Sequence, residues 1–519
     1  MLLVLVLLFT VMPTLAEEAE KPVITIGFSG SAASLPEGHT LDTYNYYLEA
    51  AKEYANCEIE FAWNLENDSQ KVALAVANGE MPDVMIVDQA NYVALLDSGM
   101  LADLTDVFEE RQDTILGEVY AAFPESFEAA LVKGRLMALP NTPQQYENPV
   151  LWVRQDWLDK LGLELPKTLD DLEELMRAFV EQDPDGNGED DTIGMTVIQT
   201  VFSDYNFNNG MESIAALFGA YPRMWYMQDN GEVIYGSVMP GIRDTLELVA
   251  RWYQEGLIDK EFANHTDTQF TEQMVSGKVG IAFGRGALGC NQIQNTHAND
   301  PESYWTPVLC PLDENGVYHS HTRTPVSSYL VVSKDCKNPG TVLDIVIGEY
   351  KWHWMIDQDE VGLAKRKEYD VAGTLWGVMP LHIQLERVPI AIERYNAFKQ
   401  YFETGSIEGL SAQCKQFIAA WEDYVADNTK LTGWGWRYMM YDYGAVITAD
   451  NIEFANPCFW GTTETMKDSW ASLRSMEEEV FVKIIMGESD ITAFDKFVED
   501  WYANGGATIT EEVQQFVAG

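Results

Sequence analysis

Basic residues, cysteines and long hydrophobic runs are all scarce in this sequence of 519 residues. Its 33 lysines and arginines are outnumbered by 82 aspartates and glutamates, which gives a formal net charge of -49. Such an acidic surface repels phosphate backbones and anionic lipid headgroups, so we expect neither nucleic acid nor a membrane surface as a partner. The 6 cysteines form no Cys-x-x-Cys pair, which excludes a zinc ribbon and a thioredoxin-type redox site. No segment after the N-terminus offers about eighteen unbroken apolar residues, so no membrane-spanning helix is predicted.

Motifs for catalysis are also missing. The sequence contains no Gly-x-Ser-x-Gly elbow and no phosphate-binding P-loop, and its 7 histidines are dispersed. The run from Gly284 to Gly289 matches Gly-x-Gly-x-x-Gly, but the polar stretch after it lacks the helix and second strand that a dinucleotide site requires. We interpret it as a turn beside a ligand cleft. Acidic pairs are common in a chain with 82 acids and do not identify a glycosidase, so we predict that the protein is not an enzyme.

The N-terminus has the pattern of an export signal. Residues Leu2 to Val11 form an apolar run, a small-residue stretch ends at Ala16, and acidic residues begin at Glu17. The run is too short to span a membrane and predicts a signal peptide over residues 1–16. No basic residue precedes it, so a start farther upstream is one interpretation. No cysteine stands at the cleavage point, so a lipid anchor is not supported, and we expect the mature protein outside the cytoplasmic membrane.

Strand and helix patterns alternate over the first part of the chain. Runs at Val23–Phe28, Glu58–Trp63 and Pro82–Asp88 predict strands, and the segments between them have helical spacing. This order predicts a doubly wound α/β lobe, in which ligands bind at the carboxyl ends of the strands. Because Asp88 ends the third strand, we expect it at a ligand site. A chain of 519 residues is too long for one ordinary core, so a second lobe is expected.

The most specific local pattern is an acidic loop between Asp183 and Asp191. Oxygen-bearing side chains stand at alternate positions, and Gly188 lies where such a loop must turn. Alternate spacing directs several oxygens toward one point, which is the geometry of a Ca²⁺ site. The match to an EF-hand is partial, because Gly194 replaces its final glutamate, and a solvated acidic turn is the alternative. We predict a structural Ca²⁺ held by Asp183, Asp185, Asn187 and Asp191.

Aromatic residues are abundant, with 15 tryptophans and 24 tyrosines, and some of them lie in segments that resemble loops. Sugar rings stack their C–H faces on aromatic rings, while planar polar groups bind their hydroxyls. Any single aromatic residue is more often part of the core. Trp434 and Trp436 are flanked by glycines in a predicted loop, which is an unusual place for core residues. They are therefore the strongest candidates for ligand contacts.

Several segments resemble the extracellular solute-binding proteins of family 1, which are the sugar-binding subunits of ABC importers. In chain order these segments are residues 78–84, 151–163, 166–168, 253–262, 276–280, 483–487 and 494–498. The likeness runs from about Val23 to Val517. It is strongest to oligosaccharide-binding lipoproteins of Gram-positive bacteria and to alginate-oligosaccharide binders. The calcium loop of the latter resembles this one at Asp183, Asp185, Asn187, Glu189 and Asp191, which implies Glu189 as a further calcium ligand. The lipobox cysteine of the Gram-positive members is missing here.

The resemblance implies a two-lobed α/β fold of the periplasmic-binding-protein type II, with a helix-flanked sheet in each lobe and the ligand cleft between them. We expect lobe one to hold residues 23–141 and 267–324, and lobe two to hold residues 142–266 and 325–519. The implied function is capture of an oligosaccharide or related polar solute by a monomer that closes and delivers it to the membrane permease subunits of an ABC importer. A secreted carbohydrate-active enzyme, and a sensor that binds without import, are the alternatives.

The predicted ligand site draws on both lobes. An acid and arginines would bind sugar hydroxyls, a tyrosine would lie at the cleft floor, and tryptophans would stack on sugar rings. From lobe one and the first crossing between lobes, the predicted residues are Asp88, Arg285 and Tyr146. From lobe two, they are Trp225, Trp434, Trp436 and Arg437.

Overall fold

The structure is a computed structural model. It describes residues 21–28, 35–64, 69–142, 148–203, 209–322, 326, 328–356, 359–372, 378–386, 390–459 and 461–518. The predicted signal peptide at residues 1–16 and the predicted ligand residue Tyr146 lie outside the described residues. Within those ranges no helix is long and apolar enough to cross a membrane.

Strands and helices occur throughout the described chain. The strands are β1 (Val23–Phe28), β2 (Glu58–Asn64), β3 (Val84–Asp88), β4 (Leu131–Val132), β5 (Arg135–Leu136), β6 (Leu139–Pro140), β7 (Val150–Arg154), β8 (Ile193–Met195), β9 (Trp225–Met227), β10 (Val233–Tyr235), β11 (Val279–Gly284), β12 (Trp305–Val308), β13 (Tyr318–His321), β14 (Ser328–Val332) and β15 (Ile452–Ala455). The α-helices are α1 (Tyr46–Ala55), α2 (Ser69–Asn78), α3 (Gln89–Asp97), α4 (Thr105–Glu109), α5 (Ile115–Ala122), α6 (Pro124–Glu128), α7 (Gln155–Leu161), α8 (Leu169–Glu181), α9 (Glu212–Leu217), α10 (Pro240–Glu255), α11 (Asp267–Val275), α12 (Gln294–Asn299), α13 (Pro339–His353), α14 (Glu360–Ala372), α15 (Ile390–Thr404), α16 (Ala412–Ala426), α17 (Leu431–Arg437), α18 (Tyr443–Ile447), α19 (Glu464–Ile485), α20 (Thr492–Trp501) and α21 (Ala507–Ala518). Short 3-10 turns cover Gly236–Val238 and Phe262–Asn264, and π-helical segments cover Gly289–Ile293, Tyr438–Asp442 and Tyr502–Gly506.

The first lobe is built on a five-stranded sheet with the order β2-β1-β3-β14-β6. β1 runs parallel to β2 and β3, and β14 runs antiparallel to β3 and β6. The predicted strand–helix alternation is confirmed here, because β-branched residues of β1 and β3 are buried between flanking helices. On one face α1 packs on α13, where Gly348 leaves room for the backbone of Ala50 and the ring of Tyr47 lies 4.7 Å from that of Trp352.

The second lobe is built on a four-stranded sheet with the order β12-β7-β11-β8. β7 pairs antiparallel with β11 and β12, and β8 pairs parallel with β11. Every residue of β7 and β11 is buried, so these strands form the centre of the lobe. α8, which begins with a capping box formed by Thr168 and Asp171, covers the sheet together with the long helices α10 and α19.

The sheet pairings divide the chain differently from the predicted boundaries. The segment 267–324 was expected in lobe one, but its strands β11 and β12 pair with β7 in the second sheet. Residues from 325 onward were expected in lobe two, but β14 pairs with β3 in the first sheet, and α13 packs on that same lobe. Buried apolar strands carry no residue that distinguishes one sheet from the other, so the sequence did not indicate their partners.

The chain therefore passes between the lobes at different points from those predicted. It is in the first lobe up to Thr142 and in the second from Asn148. It is back in the first lobe by Ser328, and it joins the second lobe again with α15. The first passage starts at Thr142, and the third starts just after Gln384. These two passages lie side by side, since the N–H of Thr142 donates to the carbonyl of Gln384 (2.9 Å). A backbone hydrogen bond thus holds these two passages together.

Candidate ligand-binding site

The carboxyl ends of the first sheet form one wall of the site. Trp63 lies near the end of β2, where Gly27 of β1 leaves space for its ring, and the buried Nε1 of Trp63 has no hydrogen-bond partner among the described residues. The buried Oε1 of Gln89, at the start of α3, likewise lacks a partner in the described chain. A methyl group added at Gly461 of the second lobe would lie 3.5 Å from Cγ of Gln89, so the two lobes approach each other here.

The opposite wall is the edge of the second sheet, where β7 begins and β11 ends. Val150 pairs with Gly284, and the indole N–H of Trp152 donates to the carbonyl of Gly284 (3.0 Å). The hydroxyl of Tyr443 donates to the carbonyl of Asn148 (2.7 Å), which fixes the start of β7 against the C-terminal helices. The passage from the first lobe therefore enters a rigid, buried framework.

Three buried polar residues, Asn148, Asn209 and Glu212, lie near this edge of the second sheet. Asn148 is 4% exposed and Asn209 is 1% exposed, and neither amide group has a hydrogen-bond partner among the described residues. Asn209 is fixed by its backbone, because its N–H donates to the carbonyl of Phe283 (2.8 Å). Leaving a buried amide unpaired costs about 1–3 kcal/mol. Such groups are characteristic of a site whose partner arrives with the ligand.

Glu212 holds the neighbouring loop. Its carboxylate accepts hydrogen bonds from the backbone N–H and the hydroxyl of Ser203, the latter at 2.9 Å. Burial raises the pKa of Glu212. The next residue, Ser213, bonds to the hydroxyl of Tyr318 (2.6 Å), which donates to the carbonyl of Pro149 (2.7 Å). The start of α9 is thereby tied to the residues around the first passage.

The structure places two predicted ligand residues at these walls. Asp88 ends β3 as expected and is exposed, but its Oδ1 accepts the N–H of Asn91 (2.8 Å) and caps α3, so part of its acceptor capacity is used. Arg285 follows β11 directly and is half-buried. It belongs to the wall of the second lobe rather than to that of the first, since β11 lies in the second sheet.

Trp225 and Trp434 belong to the core instead. Trp225 is 3% exposed and lies against the rings of Tyr235, Trp470 and Trp501. Trp434 is 5% exposed and stacks on the ring of His297 with centroids 4.1 Å apart. Both rings are covered by protein, which corrects their prediction as stacking faces for a sugar.

The predicted loop around Trp434 and Trp436 is the helix α17. Its glycines allow close packing rather than a turn, because a Cβ at Gly433 would overlap the carbonyl oxygen of Ala420 in α16, and one at Gly435 would contact Cys290. Glycine in this helix therefore marks contact between backbones, which the sequence pattern alone does not distinguish from a loop.

Trp436 lines a cavity of about 150 Å³ between the lobes. The residues around it that carry charge, amide or aromatic groups are His353, Arg366, Arg394, Gln413, Gln416, Phe417 and Trp436. Trp436 is half-buried and meets Phe417 edge to face at 4.7 Å. Arg437, the next residue, forms an ion pair with Asp442 (2.9 Å) and lies over the ring of Tyr438. Its guanidinium is thus partly engaged within the second lobe.

Comparison with known proteins gives the family. The model for bacterial extracellular solute-binding proteins matches residues 37–347, which is more than half of this chain. The chain belongs to the bacterial extracellular solute-binding protein family. Members of this family are binding proteins, and the type II two-lobed fold predicted from the resemblance is confirmed.

Individual relatives of this solute-binding protein are distant but extend over most of its length. It is 25% identical over 477 residues to lipoprotein LipO of Bacillus subtilis (strain 168), covering 90% of this chain and 88% of LipO. It is 26% identical over 502 residues to the polygalacturonan/rhamnogalacturonan-binding protein YtcQ of the same strain, covering 91% and 89%. A structure of the Streptococcus pneumoniae ABC-transporter substrate binding protein FusA, an EF-hand mutant in complex with fructo-nystose, aligns with a TM-score of 0.62 at 17% identity, covering 96% of this chain and 99% of that chain.

The predicted calcium loop of this solute-binding protein is folded around its acidic side chains. Asp183 accepts the N–H groups of Gly186 (3.0 Å) and Gly188 (3.1 Å). The side-chain amide of Asn187 donates to Asp185 (2.9 Å) and to Asp191 (3.0 Å). Partial burial and the nearby negative charges raise the pKa of Asp185, whereas the hydrogen bond from Lys278 lowers the pKa of Asp191.

The donor chemistry of this loop fits Ca²⁺, but the carboxylates are not gathered around one point. Across the described chain, no group of three or more His, Cys, Asp or Glu side chains converges in a way that could hold a metal ion. Instead, a polarised N–H group of Asn187 lies between two carboxylates, and Lys278 pairs with Asp191 at 2.5 Å. These cationic or polarised groups lie beside the carboxylates that a bound Ca²⁺ would contact.

Proposed function

We propose that this chain is the extracellular subunit of an ABC importer that captures an oligosaccharide between its lobes. The observation that carries the proposal is the pair of buried amides, Asn148 and Asn209, which lie where the chain passes between lobes and have no partner among the described residues. Oligosaccharides carry many hydroxyls that satisfy such donors and acceptors. The FusA structure is a complex with fructo-nystose, which supports the same ligand class for this chain.

The proposed ligand contacts extend from this pair of amides. Asp88 and Arg285 flank the cleft from opposite lobes, and Trp436 offers an incompletely covered ring in the cavity between lobes. Tyr146, which lies outside the described residues, stays a proposed contact on the basis of the sequence. The guanidinium of Arg437 has further N–H groups besides those that pair with Asp442. A ligand that contacts both walls favours the closed arrangement of the lobes, and the closed monomer would then engage the permease subunits.

We also propose that the loop from Asp183 to Asp191 holds a structural Ca²⁺. The side chains of Asp183, Asp185, Asn187, Glu189 and Asp191 would hold it, and the ion would supply the positive charge that these carboxylates lack. The FusA protein in the structural comparison is an EF-hand mutant, and an EF-hand in a protein of the same fold supports the assignment. The ion would have a structural role, since the loop follows α8 and its residues 185–190 are exposed.

One experiment separates binding from catalysis. Titration calorimetry of the purified protein with a panel of oligosaccharides should show one-to-one binding, and chromatography of the sugar recovered after overnight incubation should return it unchanged. Cleaved sugar would instead support a secreted carbohydrate-active enzyme. Binding without transport by cells that contain the matching permease would support a sensor.

A further inference from the structure

The acidic loop after α8 has a lysine directly beside it. The ammonium of Lys278, the residue before β11, lies 2.5 Å from Oδ2 of Asp191, which is one of the predicted calcium ligands. The chain has only 33 basic residues against 82 acidic ones. One of these few cations thus lies on an oxygen that a bound Ca²⁺ would contact.

The backbone fixes Lys278 next to the end of this loop. The N–H of Ile193, two residues after Asp191, donates to the carbonyl of Lys278 (2.8 Å), and β8 pairs with β11 from this point. The hydroxyl of Thr192 donates to the carbonyl of Phe179 (2.7 Å), which ties the same stretch to α8. The length of the lysine side chain therefore confines the ammonium to the neighbourhood of Asp191.

The ammonium interacts with more than one acid of the loop. The hydrogen bond and the charge of Asp191, and then the charges of Glu189 and Asp185, raise the pKa of Lys278, so its positive charge acts on three carboxylates of the predicted site. The side chain of Lys278 is 46% exposed, so it can turn toward solvent. A single ammonium does not neutralise all the carboxylates of the loop, and a divalent cation is still attracted to it.

The position of Lys278 on Asp191 is incompatible with an ion on the same oxygen. A carboxylate oxygen that binds Ca²⁺ lies about 2.3–2.6 Å from the ion, so an ammonium hydrogen-bonded to that oxygen would leave two cations a few ångströms apart. Their repulsion near a protein surface is roughly four times stronger than in bulk water. The ammonium must therefore leave Asp191 before the ion takes its place.

We propose that Lys278 is a built-in competitor of Ca²⁺ at this loop, with an ammonium that pairs with Asp191 when no ion is bound and is displaced when the ion binds. The inference rests on the proposed calcium site and adds the regulation of that site. Because binding must break the ion pair, Lys278 weakens the affinity for Ca²⁺. Because the ammonium offsets part of the negative charge, it also stabilises the loop without the ion. Lys278 thereby sets the calcium concentration at which the loop is loaded.

Calorimetric titration of calcium chloride into the purified protein, previously stripped of metal with a chelator, measures this competition. Lys278→Gln should bind Ca²⁺ at least about tenfold more tightly than the unaltered protein, a difference of about 1.4 kcal/mol, because no ion pair has to be broken. Lys278→Arg keeps a cation on Asp191, so its affinity should stay within about threefold of that of the unaltered protein.

Two other lysines distinguish displacement from a general effect of charge. Lys160 also reaches the loop, but its ammonium donates to the carbonyl of Pro184 (2.6 Å), so Lys160→Gln should raise the affinity less than Lys278→Gln does. Lys467 is exposed and pairs with Glu464 (2.6 Å) on α19, so Lys467→Gln should leave the affinity for Ca²⁺ unchanged.

Melting curves give a second readout of the same competition. In the presence of a chelator, Lys278→Gln should melt at a lower temperature than the unaltered protein, because the loop has lost its own cation. Saturating Ca²⁺ should then raise the melting temperature of Lys278→Gln by more than that of the unaltered protein, since the ion binds the folded variant more tightly.

Three results would overturn the inference, and they differ in what else they remove. Equal or weaker Ca²⁺ binding by Lys278→Gln would refute the competition and leave the calcium site intact. Equal gains in affinity from Lys160→Gln and Lys278→Gln would mean that the lysines act only through their general charge, and not by displacement from Asp191. If neither the unaltered protein nor Lys278→Gln binds Ca²⁺, the proposed calcium site itself fails.

Discussion

Asn148 and Asn141 form a matched pair at the first passage between lobes. The side chain of Asn141 is engaged, because its Oδ1 accepts the N–H of Ser328 (2.8 Å), whereas the amide of Asn148 has no partner in the described chain. Asn148→Ala should therefore leave the melting temperature of the free protein nearly unchanged and weaken oligosaccharide binding by about 1–2 kcal/mol. Asn141→Ala should lower the stability by about 1–3 kcal/mol.

Thermal melting and calorimetric titration of both variants check this pair. A large loss of stability in Asn148→Ala, with unchanged affinity, would mean that this amide supports the fold rather than the ligand.

Trp434 and Trp436 form a second pair, two residues apart on α17. Trp434 is buried against His297, so Trp434→Ala should cost about 3–5 kcal/mol of stability with or without ligand. Trp436 lines the cavity, so Trp436→Ala should leave most of the stability and weaken binding by about 1–3 kcal/mol. Thermal melting and calorimetric titration of the two variants distinguish a core position from a ligand contact. Equal stability losses with no change in affinity would place both rings in the core.

The residues of the candidate ligand-binding site were only partly predictable from the sequence. Asp88 could be placed near the cleft because it ends a predicted strand, and strand ends gather at one edge. Arg285 could be placed there because it lies in the glycine-rich turn predicted beside the cleft. Asn148, Asn209 and Glu212 were missed, because single polar residues outside any motif carry no local signal. Trp436 was predicted because of its flanking glycines, although those glycines proved to serve helix packing.

At the scale of elements, the contact between α17 and α16 depends on Gly433. Alanine is about 1 kcal/mol better than glycine inside an isolated helix. Gly433→Ala should nevertheless lower the melting temperature, because its Cβ would overlap the backbone of Ala420 and force the two helices apart. A melting temperature equal to or above that of the unaltered protein would contradict the close contact.

The acidic loop after α8 gives a prediction about metal removal. If Ca²⁺ binds there, a chelator should lower the melting temperature, because an ion that binds only the folded state stabilises it. Asp183→Asn should abolish this response, whereas Asp190→Asn, an exposed acid outside the alternating positions, should retain it. Differential scanning fluorimetry with and without chelator, together with elemental analysis, makes the measurement. No bound ion and no chelator effect in the unaltered protein would exclude the site.

Individual strands and helices were predicted well where hydrophobic periodicity was strong. β1 has the predicted bounds, and β2 extends one residue beyond its predicted end at Trp63. The assignment of strands to sheets could not be predicted in the same way. β11 and β14 are both short, buried and apolar, and only long-range pairing decides which sheet each one joins.

At the scale of the whole molecule, the two sheets and the passages between them predict a hinge. Ligand contacts on both walls should shift the lobes toward closure. Small-angle scattering at saturating ligand should therefore give a smaller radius of gyration than that of the free protein. An unchanged radius of gyration, with binding confirmed by calorimetry in the same buffer, would mean that the ligand is held without closure.

The central claim is that the protein captures an oligosaccharide. A thermal-shift screen against acidic and neutral oligosaccharides tests this claim most directly. A ligand at about a hundred times its dissociation constant should add about 2.7 kcal/mol to the stability, and the shift should grow with the logarithm of the ligand concentration. We expect at least one oligosaccharide to give this response. If none shifts the melting temperature at millimolar concentration, while a ligand that is not a saccharide does, the claim is contradicted.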